Sequence, residues 1–241
     1  MSSRNIARLV QIAMAIEPIP DKKGLTTRSI DIVDNLKLEY FIIGAINSGP
    51  VIEELMNREE AEDSYDLLLK CTIQNHLNRG GLRVNAGQLQ FLWPILLVIR
   101  NFPSYKGVDL ILDSTRRIML DTSIEDGIWL QNTSNFSYSL WEGHSGRSVL
   151  IDLTLNVYGV YEVWAKESTT SSMHCKELID KFPTLRWLYK KFSMEQPYSF
   201  SMKNLYNEAV LKYPNMPKGQ IADLLACVIF LSMYCDDYQI T

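Results

Sequence analysis

Apolar and polar positions repeat along this chain at two different periods. Residues 1–105 and 173–238 carry the spacing of helices, whereas residues 108–166 read as short strands. From Val149 the apolar positions are Val149, Ile151, Leu153, Leu155 and Val157, with Asp152, Thr154 and Asn156 between them. A period of two predicts a half-buried strand with its odd positions turned inward.

On the N-terminal side, Arg4–Ile16 predicts an amphipathic helix stopped by Pro18 and Pro20. Thr27 or Ser29 can cap a second helix, with Ile30, Val33, Leu36, Tyr40 and Ile43 on one stripe. Ser48-Gly49 is expected to end it, and Pro50 to open the next. Glu59–Leu77 and Gln88–Arg100 follow as helices. Beyond Pro103–Gly107, the segments Val108–Leu112, Arg117–Leu120, Ile128–Gln131 and Phe136–Trp141 resemble strands, separated by Asp, Ser, Thr, Asn and Gly. Val149–Trp164 continues them, with a bulge, a bend or a tight turn expected at Gly159. Helices return at Met173–Lys181, Pro183–Phe192, Ser201–Lys212 and Gln220–Tyr234. The expected fold class is therefore α+β, a central and mainly antiparallel β unit (106–168) between helical regions at 1–105 and 169–241, all in one compact unit or as a helical domain with an insertion.

Composition changes this picture little. With 241 residues, 46% hydrophobic and 22% charged, the chain can build a sizeable core. Its net charge of -4 argues against coating nucleic acid, because phosphate neutralisation requires a basic face. Cys71, Cys175, Cys227 and Cys235 form no CxxC pair, and Met1–Ala15 lacks the apolar run of a signal peptide. An intracellular protein, cytoplasmic or nuclear, with free thiols is expected, and the sequons at Asn132 and Asn135 then carry no meaning. Phe91–Ile99 and Ile221–Cys235 fall short of the roughly 20 residues that span a bilayer, and both read as buried core helices, so no transmembrane segment is expected.

Candidate chemistry is sparse. Gly143-His144-Ser145-Gly146-Arg147-Ser148 lacks the glycine that a nucleophile elbow needs where Arg147 stands, and it precedes a predicted strand rather than a helix. It also lacks the lysine of a phosphate loop and reads as a hairpin loop. Asp152, Glu162 and Lys166 share one parity, so an uninterrupted strand would put them on one face. Two carboxylates and a lysine there could hold Mg²⁺ and position water, as a metal-dependent nuclease requires. Asp109, Asp113, Asp121 and Asp126 have irregular spacing without a calcium loop's glycine and glutamate, and read as turn residues. His76, His144 and His174 include no i,i+4 pair, so no structural zinc and no other cofactor are expected. The stretch from Lys181 to Phe192 interleaves cations with aromatics; Lys181, Arg186, Trp187, Lys190 and Lys191 could stack on bases and hold phosphate.

No catalytic motif is complete. The leading expectation is a non-catalytic structural or interaction protein that associates with itself or with a protein partner, on the pattern of a viral capsid, matrix or nucleocapsid-associated subunit. The alternatives are a metal-dependent nuclease built on Asp152, Glu162 and Lys166, and a nucleic-acid-binding module built on residues 181–191. An exposed apolar patch favours the first, converging carboxylates the second and a basic aromatic groove the third.

Overall fold

A computed structural model describes residues 1–29, 36–59, 63–77, 84–139, 151–167, 170–194 and 198–236. Among these residues the chain is helical throughout, with eleven helices and no strand. The first three are α1 (Ser3–Ile16), α2 (Leu38–Asn57) and α3 (Tyr65–His76). The next four are α4 (Ala86–Asn101), α5 (Val108–Leu120), α6 (Ile124–Ser139) and α7 (Val157–Lys166). The last four are α8 (Thr170–Ile179), α9 (Pro183–Met194), α10 (Tyr198–Lys212) and α11 (Lys218–Cys235).

Two helices form the centre. α4 buries every residue from Gln88 to Ile99 and packs on α2, α3, α5 and α11. α11 buries Ala222, Leu224–Tyr234 and Ile221 among α1, α4, α9 and α10. A helix apolar on every side is stable only when surrounded, and the two central helices surround each other with the rest. α11 is also the one helix among the described residues that is long and apolar enough to cross a membrane. The buried apolar cluster draws on residues from 1–105, 106–168 and 169–241 alike.

The expected β unit is a correction. Val108–Leu112 and Arg117–Leu120 are the two halves of α5, whose buried residues Ile111, Leu112, Thr115, Ile118 and Met119 follow helical spacing. The polar run Asp113–Arg116 includes Thr115, which faces inward and completes the stripe, so the run is no turn. Ile128–Gln131 and the described part of Phe136–Trp141 belong to α6. That helix shows no apolar stripe because much of its buried face is polar. The Val149–Trp164 strand is an irregular segment over 151–156 followed by α7, which buries Val157, Val160, Tyr161 and Ala165 at helical spacing. Asn156 caps α7, accepting the Gly159 N–H at 2.9 Å. The predicted inward parity therefore fails: Ile151 and Leu153 are exposed. The analogy with viral assembly subunits rested on the α+β architecture and loses that support.

Ser48-Gly49 does not end α2 either; the helix runs through Pro50. Pro50 donates no N–H, which frees the Ile46 carbonyl, and Gln11 Nε2 of α1 takes that carbonyl at 2.8 Å. Gly49 allows this close approach, since a Cβ there would lie 2.2 Å from Gln11 Nε2.

Candidate interaction surface

Residues 151–156, which lead into α7, are held by polar anchors, of which Gln131 is buried. Gln131, buried on α6, accepts the Asp152 N–H on Oε1 at 2.8 Å and donates from Nε2 to the Asp152 carbonyl at 3.0 Å. Its Nε2 also reaches the Gly127 carbonyl at 3.1 Å. Gly127 lets the segment lie directly on α6, because a Cβ there would sit 1.9 Å from the Leu155 carbonyl oxygen. Asn156 Nδ2 donates to the Leu120 carbonyl at 2.8 Å, and Thr122 Oγ1 accepts the Val157 N–H at 3.1 Å. At the tip, the Asp152 carboxylate accepts the Thr154 N–H and hydroxyl at 2.9 and 2.6 Å. These bonds hold the Asp152 carboxyl below the usual range.

Ile151 and Leu153 on this segment face solvent, as do Leu120, whose carbonyl Asn156 bonds, and Ile124 at the start of α6. Leu153 is 66% exposed, Ile124 49%, Leu120 46% and Ile151 38%. An exposed leucine alone means little; these four are the candidates for a contact surface. Arg117 and Asp121 flank Leu120 as an exposed ion pair, 3.6 Å apart.

The nuclease residues are not gathered into a metal site. Asp152 spends its carboxylate on Thr154, while Glu162 and Lys166 stand one turn apart on α7 and pair with each other at 3.7 Å. Among the described residues no group of three histidine, cysteine or acidic side chains could hold a metal ion. His174 stacks on Phe91 with ring centroids 3.7 Å apart. Burial raises the Cys175 and Cys235 thiols to about 12 and Cys227 well above its ordinary value, so these three are protonated at neutral pH. Gly143–Ser148 lies outside the described residues.

The basic-aromatic stretch is largely neutralised from within. Arg186 pairs with Asp109 and, at 3.0 Å, with Asp113, and its Nε donates to the Lys181 carbonyl at 2.9 Å. Lys181 reaches Asp113 at 3.6 Å, and Lys191 reaches Glu208 at 3.2 Å. Trp187 meets Tyr213 edge to face, centroids 5.6 Å apart, with Lys212 5.3 Å from its ring. Lys190 is exposed. Leu185, Leu188 and Phe192 are core, as an amphipathic helix requires.

The acidic series also divides, since Asp109 and Asp113 lie on α5 and Asp121 is its C-cap. Asp126 is buried in α6 and accepts the Ser64 and Tyr65 N–H groups at 2.7 and 2.8 Å, capping α3 from a neighbouring helix. Burial raises its carboxyl above the ordinary value, against the lowering effect of those two bonds. In the sequence Asp126 read as a turn residue and Gln131 did not stand out; no local pattern marks either as a buried anchor.

The chain matches no protein-family model. It matches no curated protein sequence. It matches no solved structure.

Proposed function

We propose that this chain is a non-catalytic interaction protein that associates with its own copies through Leu120, Ile124, Ile151 and Leu153. The observation that carries this reading is Leu153, two-thirds exposed on a backbone whose neighbouring residue is clamped at both its N–H and its carbonyl. Leaving an apolar side chain in water on a rigid segment gains nothing for the monomer, whereas covering it with another subunit removes apolar area from solvent. Arg117 and Asp121 beside Leu120 supply both signs of charge, which a surface that meets its own copy can pair across a two-fold axis.

The engaged carboxylates of Asp152 and Glu162 weigh against the nuclease reading, and the ion-paired cations at Lys181, Arg186 and Lys191 weigh against nucleic-acid binding. Sedimentation velocity over a concentration series tests the proposal. The wild-type chain is expected to run above its monomer mass of 27.7 kDa, and Leu153→Asp at that mass with an unchanged melting temperature. A wild-type chain that stays monomeric at every concentration overturns it.

A further inference from the structure

Gln131 treats the 151–156 segment as a neighbouring strand would. It pairs with both backbone groups of Asp152, accepting at 2.8 Å and donating at 3.0 Å. It is itself held by the Gly127 carbonyl one turn back and is buried with that glycine against the segment. A carboxamide is the side chain that supplies one acceptor and one donor in a single plane. A glutamate lacks the donor at neutral pH, and a methionine lacks strong partners of either kind. No other side chain bonds both backbone groups of Asp152 among the described residues.

We infer that Gln131 is the positioning residue of the interaction surface. This rests on the self-association reading above. The amide fixes the backbone of Asp152, and Ile151 and Leu153 on either side of it are thereby held exposed.

The test combines local hydrogen exchange with sedimentation on Gln131→Met and Gln131→Glu, and uses the amides of α4 as the control for an intact fold. In Gln131→Met, protection of the Asp152 amide is expected to fall about five- to tenfold, as for one lost hydrogen bond, while α4 stays protected. The same variant should also sediment as a monomer. In Gln131→Glu the loss at neutral pH is expected to reverse on acidification, because a protonated carboxyl regains a donor and burial raises its titration. A merely structural glutamine would not give that local, pH-reversible signature. Unchanged protection at Asp152, Thr154 and Val157 in both variants overturns the positioning role. Lost protection with association intact overturns it too, since the surface then does not need that backbone held. Failure of the association reading is separate: it shows in the wild-type chain and in Leu153→Asp, whatever Gln131 does.

Discussion

α11 and α6 are both packed inside the molecule, and they use burial in opposite ways. Apart from Ser232, α11 buries only apolar or weakly polar side chains between Ile221 and Tyr234, and what they contribute is area removed from water. α6 buries Asp126, Gln131, Thr133, Ser134 and Ser137 beside Leu130. Its polar side chains contribute specific bonds: Asp126 holds the start of α3, and Gln131 holds the segment before α7. Apolar burial makes the fold stable without dictating where a neighbouring backbone must lie. Polar burial adds less net stability and fixes positions, because an unmet partner is costly. The candidate surface therefore hangs on the less apolar of the two helices.

The largest expected effect breaks the apolar side of this contrast. Leu225→Asp puts an unpaired charge at the centre of α11 and should destabilise by more than about 4 kcal/mol, so that little folded protein remains in a thermal melt. Asp126→Ala strands two N–H groups at the start of α3 and should cost about 2–4 kcal/mol by urea titration. Its local mark should be faster exchange at Ser64 and Tyr65. A cost below half a kilocalorie would mean that α6 is held by packing, as α11 is.

A third measurement sharpens the electrostatic side. Burial raises Asp126 above its ordinary 3.8, so the folded chain keeps that proton to higher pH than the unfolded chain does. Its stabilising contribution is complete below 3.8 and is lost as pH rises through the native value. Stability over that window should fall less steeply in Asp126→Asn than in the wild type; parallel curves would refute the assignment. Glu177, also raised by burial while it accepts the Leu185 N–H, gives a slope of the same sign in both proteins.

Smaller effects set the scale for local geometry. Lys181 ends α8 with φ 61°, where the Lys181 and Phe182 N–H groups turn back to Leu178 and Glu177. Glycine is the usual residue at this position, so Lys181→Gly should stabilise by about 1 kcal/mol despite losing the partly exposed contact with Asp113. A lowered melting temperature would show that the contact outweighs the backbone. Least of all, Glu162→Gln removes an exposed i,i+4 pair on α7 and should change stability by less than about 0.5 kcal/mol.

The amino-acid sequence by itself determined the helices whose buried face is apolar. Leu185, Leu188 and Phe192 announce α9, and the unbroken run from Ile221 announces a surrounded α11, because apolar residues repeat at 3.6 or fill the whole circumference. It also determined that residues 181–191 interleave cations with aromatics. Whether those cations were available was not legible, since Asp109 and Asp113 reach Arg186 from more than seventy residues away. The centre of the chain misled for a related reason. In α6 the buried positions are polar, so no periodic apolar signal exists to read. In α5 one inward threonine splits the stripe into two strand-like runs. At 151–156 the alternation is real, but only the contacts of Gln131, Gly127, Thr122 and Asn156 decide that Ile151 and Leu153 face water. A hydrophobic pattern records which side chains avoid water; which of them meet a core and which await another surface is decided by partners distant in the chain, and only the tertiary structure brings those together.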